Sequence, residues 1–212
     1  MAERSRRGPL VTVEGLDFSG KSTLVSLLKD ELAGLDPPVH FTREPGGTGV
    51  AERVRALLLD PELEMRPWTE AYLYAAARAE LVQREILPRL EGGETVVCER
   101  FLDSSLAYQG YGRGLGAREV RDLNSWAVGT VLPDLTFYLR LSPEERTRRA
   151  GRSDAPLDRI ERVGDEFMGH VEAGFEEISR AEPERVRVLD ASLAAGELAQ
   201  TARQEILGLR SR

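Results

Sequence analysis

The sequence predicts an α/β fold in three layers, with a mostly parallel five-stranded sheet flanked by helices. Short apolar segments alternate with longer segments of helical period, which is typical of a parallel sheet covered on both faces. A glycine-rich loop at residues 15–22 joins the first strand to the first helix. The chain has 212 residues, of which 41% are hydrophobic, and a chain of this kind can build its own core. We therefore expect a single domain over residues 1–212.

Five segments predict strands because they are short, apolar and rich in β-branched residues. These strands cover residues 9–14, 39–42, 94–99, 134–141 and 185–190. Between them, apolar residues recur at three- and four-residue steps, as Leu24, Leu28 and Leu32 do, and this period predicts amphipathic helices. The predicted helices cover residues 20–35, 50–59, 67–90, 103–109, 117–131, a stretch that ends near 181, and 194–209.

The composition limits the classes of partner. The net charge of −7 argues against binding of nucleic acid, because proteins that hold the phosphate backbone present a basic face. No run of residues approaches the ~18 apolar residues of a membrane span, and the basic start of the chain is not followed by a signal-peptide core. Cys98 is the only cysteine and lies in an apolar strand, so we predict a core residue and no internal disulfide. We expect a cytoplasmic protein with neither a membrane nor a nucleic acid as partner.

The loop "GLDFSGKS" at residues 15–22 has the spacing G-x-x-x-x-G-K-[ST] of a P-loop. Its glycines let backbone N–H groups turn toward phosphate oxygens, Lys21 neutralises the outer phosphates, and the Ser22 hydroxyl is a ligand for Mg²⁺. The helix that begins here adds the positive end of its dipole. Of the 29 basic residues only Lys21 and Lys29 are lysines, which makes a chance lysine at this position a weak explanation. The alternative is a glycine turn capped by a serine.

A P-loop indicates a nucleotide but not a reaction. A GTP-hydrolysing switch is expected to carry an N-K-x-D motif that reads guanine, yet the only asparagine is Asn124 and no lysine follows Lys29. The two histidines, His40 and His170, lie apart from any cysteine or acid cluster of ligand spacing. The sequence thus argues against a GTPase, a histidine metal site and histidine catalysis.

Two further pairs of residues suit a phosphate-transfer site. Glu99 and Arg100 follow a predicted strand at its carboxyl end, where ligands bind in open α/β sheets. There Glu99 would hold a Mg²⁺-bound water and Arg100 would bridge donor and acceptor phosphates; the alternative is a solvated ion pair. Tyr74 and Arg78 share one helix face, which suits stacking on a nucleobase and donation to a base carbonyl. An internal cation–π pair explains the same spacing.

A dense group of arginines follows the fourth predicted strand, and it comprises Arg146, Arg148, Arg149 and Arg152. Beside a phosphate-transfer site it predicts a mobile lid at about residues 146–158, whose guanidiniums meet the charge that develops on the transferred phosphoryl group. The alternative is a solvated helix face paired with Glu144 and Glu145.

The chain resembles the bacterial thymidylate kinases, which transfer a phosphoryl group from ATP to thymidine monophosphate (dTMP). The matching stretches run in the family's order over most of residues 10–162; they are "EGLDFSGKST", "FTREPGGT", "RPWTEAYLYAAARAEL", "ERFLDSSLAYQGYGRG", "PDLTFYLRL" and "LDRIE". "TREPGGT" and "SSLAYQGYGRG" are specific to the family in a way that the P-loop is not. The resemblance implies a homodimeric kinase of the nucleoside monophosphate type that uses ATP and Mg²⁺ to form dTDP for dTTP synthesis.

The resemblance also implies a role for each matching residue. The ATP phosphates would lie on Gly15, Leu16, Asp17, Phe18, Ser19, Gly20, Lys21, Ser22 and Thr23. The residues that contact dTMP would be Asp17, Glu44, Arg55, Tyr74, Arg78, Arg100, Ser105, Tyr108 and Gln109. Asp17 would face the 3′-hydroxyl, Tyr74 would stack on thymine, Arg78 would donate to a thymine carbonyl, and Ser105 and Gln109 would read the base edge. The catalytic group would comprise Lys21, Glu99, Arg100, Arg149 and Arg152, with Ser22 and Glu99 as Mg²⁺ ligands.

Three residues depart from the family's pattern. Glu99 stands where aspartate is usual, so its carboxylate lies one methylene farther from the backbone. Phe18 stands at the lip of the P-loop, where a small residue or an arginine is usual. Tyr74 replaces the usual phenylalanine and adds a hydroxyl that needs a partner if it is buried.

Two other functions are compatible with the residues. One is a kinase for another nucleotide or a deoxynucleoside, and the other is a nucleotide-gated binding module without an acceptor. The first predicts turnover that favours an acceptor other than dTMP. The second predicts slow loss of ATP that dTMP does not change.

Overall fold

A computed structural model describes residues 7–152 and 158–211, apart from the side chain of residue 161. Over these ranges the chain forms one sheet in the order β2-β3-β1-β4-β5, and every strand pairing is parallel. The strands are β1 (Leu10–Glu14), β2 (Val39–Arg43), β3 (Thr95–Glu99), β4 (Leu135–Arg140) and β5 (Val186–Asp190). The predicted α/β class is therefore confirmed.

Helices connect the strands at nearly the predicted positions, and an additional helix at Pro143–Ala150 is not among the predicted ones. They are α1 (Lys21–Glu31), α2 (Gly49–Leu59), α3 (Pro67–Leu81), α4 (Leu87–Glu91), α5 (Leu102–Ser105), α6 (Ala117–Val128), α7 (Pro143–Ala150), α8 (Asp165–Ala181) and α9 (Ala195–Arg210). A π-helical turn at Val82–Ile86 joins α3 to α4, so the predicted helix 67–90 contains a local change of pitch. The π-helical segment Leu106–Gly112 extends α5 beyond its predicted end.

Apolar residues cover the sheet on both faces. Val11 and Val13 of β1 pack on one face with α1 and α9, while Leu10 packs on the other face with α3, α5 and α8. This alternation follows from the two-residue period of a strand, and it explains why the buried strands are almost continuously apolar.

The order of the strands places the loops that follow β1, β2 and β3 at one edge of the sheet. Val13 is in register with Glu99 of β3, and Arg43 of β2 is in register with the same residue. The chain leaves β1 and β3 toward opposite sides of the sheet, and ligands of open α/β sheets bind at such a switch point. Gly15, Glu44 and Arg100 come directly after these three strands.

Part of the predicted lid can be located. Residues 146–150 lie in α7, whereas residues 153–157 lie outside the described residues, as do residues 1–6. Within the described ranges, every helix is too short or too polar to cross a bilayer.

Candidate active site

The P-loop curls around the N-terminus of α1. Gly15 has a φ of +141° and Gly20 a φ of +94°, and both angles lie in the region that favours glycine. A Cβ on Gly15 would also lie 2.7 Å from the Leu139 carbonyl oxygen, so the loop passes close under β4. Phe18 adopts a φ of +66° without being glycine, and such strain is common where function fixes the backbone.

Lys21 is held inside this loop. It is buried, and its Nζ donates to the Leu16 carbonyl oxygen at 2.7 Å and lies 4.0 Å from Asp17 Oδ1. Burial, together with the positive charge of Arg100, lowers the pKa of Lys21 to about 8. Lys21, Ser22 and Thr23 line an adjoining groove, which we call the phosphate groove. The first N–H groups of α1 therefore lie at the same place. This arrangement suits the phosphates of a nucleotide.

The two predicted Mg²⁺ ligands contact each other. Ser22 Oγ donates to Glu99 Oε1 at 2.8 Å, and both residues line the phosphate groove. Mg²⁺ prefers oxygen ligands and is commonly bound by one or two protein groups together with phosphates and water. No group of three or more His, Cys, Asp or Glu side chains that could hold a metal ion occurs in the described residues.

Arg100 connects the P-loop to the loop that follows β3. Its Nη1 donates to the Gly15 carbonyl oxygen at 2.9 Å, and its Nη2 donates to Asp17 Oδ1 at 2.5 Å. The guanidinium also lies over the Tyr108 ring, 5.2 Å from its centroid. Burial raises the pKa of Asp17, but Arg100 and Lys21 outweigh it, so the pKa lies below its usual value and Asp17 stays ionised. The φ of Arg100 is +64°, which costs ~1–2 kcal/mol for a residue with a Cβ.

Glu14, which is not among the predicted site residues, supports Arg100 through Ser104. It is fully buried; its Oε1 accepts from the Phe101 backbone N–H at 2.7 Å, and its Oε2 accepts from Ser104 Oγ at 2.5 Å. Ser104 Oγ in turn accepts from Arg100 Nη1 at 3.2 Å. Burial and the nearby charge of Asp103 raise the pKa of Glu14 to about 7.

A second pocket, of about 570 Å³ including its mouth, adjoins the phosphate groove. The predicted dTMP residues line it; they are Asp17, Glu44, Arg55, Tyr74, Arg78, Arg100, Ser105, Tyr108 and Gln109. Asp17, Glu44, Arg55 and Arg100 line the phosphate groove as well. The two pockets therefore meet at a common wall. Burial raises the pKa of the Tyr74 hydroxyl far above its usual value, so this hydroxyl is neutral at physiological pH.

Arg78 is buried and already paired. Its Nε donates to Glu44 Oε2 at 2.8 Å, and its Nη2 lies 2.6 Å from the same oxygen. Nη1 donates to Ser105 Oγ at 3.0 Å and to Asn124 Oδ1 at 2.5 Å, and Nη2 also donates to the Phe101 carbonyl oxygen at 3.0 Å. A direct bond from Arg78 to a base carbonyl would replace one of these contacts. Asn124, which is not among the predicted site residues, thus helps to hold Arg78 in the pocket.

Glu44 completes this buried pair. Burial raises the pKa of Glu44, although Arg78 opposes the shift. Its Oε1 is buried and has no hydrogen-bond partner among the described residues, while the side chain lines both pockets. A substrate donor would therefore satisfy it.

A buried carboxylate, Glu70, lies behind Gln109. It is 0% exposed and accepts from Gln109 Nε2 at 3.0 Å, from Arg113 Nη2 at 2.9 Å and from Arg159 Nη1 at 2.7 Å. These charged residues are not among the predicted site residues. The sequence signal for Glu70 is its spacing: Glu70, Tyr74 and Arg78 follow one another at four-residue steps, which puts all three on one face of α3.

The predicted arginine cluster divides in two. Arg149 reaches the P-loop: its Nη1 donates to the Phe18 carbonyl oxygen at 3.4 Å, and its Nη2 donates to the Ala191 carbonyl oxygen at 2.7 Å. Arg148 is exposed and pairs with Glu145, and Arg146 pairs with Asp165. Arg152 is exposed at the end of the described residues. Arg149 is thus the member of the cluster that lines the phosphate groove.

A phosphate groove that shares a wall with an acceptor pocket, on a parallel sheet with a P-loop, defines a P-loop kinase of the nucleotide-phosphorylating class. The family model described as "Thymidylate kinase" matches residues 13–202. The chain therefore belongs to the thymidylate kinase family.

Individual relatives agree with this placement. The chain is 48% identical over 189 residues to the thymidylate kinase of Pelotomaculum thermopropionicum, covering 89% of this chain and 88% of that protein. It is 45% identical over 206 residues to the thymidylate kinase of Symbiobacterium thermophilum, with 95% of each chain covered. Among solved structures, a thymidylate kinase from Ehrlichia chaffeensis matches with a TM-score of 0.68 and 33% identity, covering 86% of this chain and 93% of that one.

Proposed function

We propose that this protein transfers the γ-phosphoryl group of ATP to dTMP and forms dTDP and ADP. The observation that carries this function is the wall formed by Asp17 and Arg100, which separates the P-loop groove from the pocket lined by Tyr74 and Gln109. Two nucleotides bound in these pockets would meet with their phosphates at this wall. The acceptor phosphate is already an anion, so the reaction needs positioning and charge neutralisation rather than a general base.

The chain's own groups divide this work. Lys21 and the N-terminus of α1 would hold the donor phosphates, while Arg55 and Arg100 would hold the acceptor phosphate. Tyr74 would stack on the base, Ser105 and Gln109 would read its edge, and Asp17, Tyr108 and Glu44 would contact the sugar side. Mg²⁺, held by Ser22 and Glu99, would neutralise charge shared by the phosphates.

Arg149 is proposed as the catalytic arginine of the lid, and Arg152 as its second cation. Arg149 already contacts the P-loop through the Phe18 carbonyl oxygen, so a small movement of α7 would bring its guanidinium to the transferred group. Exclusion of water at this place would prevent wasteful hydrolysis of ATP.

The working unit is proposed to be a homodimer of one-domain chains in the cytoplasm, where ATP and nucleotides occur together. Support comes from an apolar face on α2 and α3: Val50, Leu57, Trp68 and Tyr72 are 55%, 49%, 43% and 60% exposed. The Trp68 and Tyr72 rings lie 6.3 Å apart. A second copy of the chain would cover this face. Light scattering of the wild type and of Tyr72→Glu tests this proposal. We expect the wild type to be a dimer and the variant to form a weaker dimer.

The function is tested by coupling ADP release to an optical signal in the presence of ATP, Mg²⁺ and one acceptor at a time. The acceptors are dTMP, dUMP, CMP, AMP and thymidine. We expect release that depends on dTMP and is fastest with it. Preference for another acceptor would identify another nucleotide or nucleoside kinase, and release that no acceptor changes would identify a binding module.

A further inference from the structure

The buried carboxylate of Glu70 accepts a hydrogen bond from Gln109, a residue that lines the second pocket. Gln109 lines that pocket and is 2% exposed, and its Nε2 donates to Glu70 Oε1 at 3.0 Å. Glu70 itself is not among the residues that line the pocket. It therefore acts on a ligand only through its neighbours.

Glu70 accepts hydrogen bonds and does not donate them. Burial would raise its pKa, but hydrogen bonds from Arg113, Gln109 and Arg159 outweigh burial and keep the pKa below its usual value. Arg113 contributes Nε at 3.2 Å and Nη2 at 2.9 Å, and Arg159 contributes Nη1 at 2.7 Å. An ionised carboxylate has acceptors only.

The orientation of the Gln109 amide follows from this. Its NH₂ group must face Glu70, because the reverse orientation would place two acceptors against each other. The oxygen Oε1 is then the atom of the amide that remains for a ligand in the pocket that Gln109 lines. Gln109 thus presents an acceptor to a bound base.

Arg78 fixes the neighbouring Ser105 in the complementary way. A guanidinium only donates, and Arg78 Nη1 donates to Ser105 Oγ at 3.0 Å. The Ser105 O–H is then available to donate into the same pocket, which Ser105 lines. An acceptor and a donor side by side match the N3–H and C4 carbonyl of thymine or uracil, whereas cytosine presents a bare N3 and an amine.

We propose that Glu70 is a positioning residue for base specificity: by fixing the Gln109 amide, it selects a pyrimidine with an N3–H over cytosine. This inference rests on the proposed binding of a pyrimidine monophosphate in the second pocket. With cytosine, an acceptor of the pocket would face an acceptor of the base, and unpaired buried polar groups of this kind discriminate strongly between ligands.

The test measures dissociation constants for dTMP, dUMP and dCMP by calorimetry, so that it does not depend on turnover. In Glu70→Gln the side chain at position 70 can donate as well as accept, and the Gln109 amide can reverse. We expect the preference for dTMP over dCMP to fall about tenfold or more, while the preference for dTMP over dUMP stays unchanged because both bases carry the same edge. An unchanged dTMP-over-dCMP preference overturns the inference.

A double variant separates positioning from general damage. In a Gln109→Met background, Glu70→Gln should have no further effect on the dTMP-over-dCMP preference; an equal effect with and without Gln109 overturns the inference. The single variant Gln109→Met leaves Arg113 and Arg159 paired with Glu70, so it remains informative if Glu70→Gln does not fold. This variant must itself lose the preference for dTMP over dCMP. Asp103→Asn, which removes another buried partner of an arginine, Arg185, is the matched control and should keep it.

The proposed function and this inference fail in different ways. If the wild type binds dTMP in preference to dCMP but shows no acceptor-dependent ADP release, the proposed kinase function is refuted. The binding data of the Glu70→Gln variant then still decide the role of Glu70. Wild-type kinase activity with a Glu70→Gln variant of unchanged preference refutes only the role of Glu70.

Discussion

Arg100 Nη2 lies 2.5 Å from Asp17 Oδ1, and this ion pair forms the wall between the two pockets. The pair is partly exposed, with 16% of the Arg100 and 26% of the Asp17 side chain accessible, so both groups can still contact a ligand. Glu14 and Ser104 hold Arg100 from the other side. The chain's own groups thus hold the guanidinium in place, and such preorganisation is what the proposed electrostatic role of Arg100 requires.

Removal of the P-loop lysine should abolish most of the activity without unfolding the protein. We expect Lys21→Ala to lower kcat/KM about 10²–10³-fold, or ~3–4 kcal/mol of transition-state stabilisation, because the cation nearest the donor phosphates is lost. Steady-state kinetics and a thermal melt check this result. Lys29→Ala is the matched control, since Lys29 is on the same helix and its Nζ lies 5.8 Å from the Phe41 ring centroid instead. Equal losses in the two variants would contradict the role of Lys21.

The two neighbouring arginines of α7 should differ sharply. Arg149→Ala should lower kcat about 10²–10³-fold with little change in the KM for dTMP, because its charge is needed mainly in the transition state. Arg148→Ala removes an exposed ion pair with Glu145 and should change kcat less than about twofold. Parallel kinetics of the two variants decide this, and similar losses would assign Arg149 a structural role only.

The stability of the protein should depend on pH through Glu14. Its pKa is about 7 in the folded chain against 4.5 for the free group, so between these values the folded state holds a proton that the unfolded state releases. The free energy of unfolding therefore falls as pH rises through this window. Relative to Glu14→Gln, the wild type should lose about 3 kcal/mol between pH 4.5 and pH 8. Urea titrations of both proteins at several pH values measure this difference, and a constant difference would contradict it.

The ring of Tyr74 should matter more than its hydroxyl. We expect Tyr74→Ala to weaken dTMP binding by about ten- to a hundredfold, because stacking of a base on an aromatic ring contributes ~1–3 kcal/mol. Tyr74→Phe keeps the ring and should change the dissociation constant less than about threefold. Calorimetric titration with dTMP distinguishes these results, and a large loss in Tyr74→Phe would give the hydroxyl a direct role.

The local pattern predicts the elements well because periodicity and turn residues are properties of short segments. The P-loop, the five strands and the parallel class follow from Gly15, Gly20 and the apolar runs around them. The strand order does not, since β1 pairs with β3 and β4 through contacts between residues far apart in the chain. The π-helical turns at 82–86 and 106–112 also depend on packing, which the local pattern does not contain.

The candidate site shows the same limit. The residues proposed to touch a ligand carry a motif, so the resemblance supplies Tyr74, Ser105 and Gln109, which line the second pocket. Residues that hold them in place look ordinary in the sequence. In the sequence, Glu70 looks like one more charge on a helix, and Arg159, one of the partners of its buried carboxylate, lies 89 residues away. Charged residues are almost never fully buried unless they are paired, and the pair cannot be recognised until the fold brings it together.

The common wall has a consequence for how this enzyme can evolve. Asp17, Glu44, Arg55 and Arg100 each line both pockets, which we propose to hold the acceptor and the donor. A substitution among them would disturb the affinity for two unlike molecules together. Evolution toward new acceptors must therefore begin at the other end of the second pocket, where the base would bind. For the same reason, few mutations could give resistance to a compound that spans both pockets and still preserve catalysis.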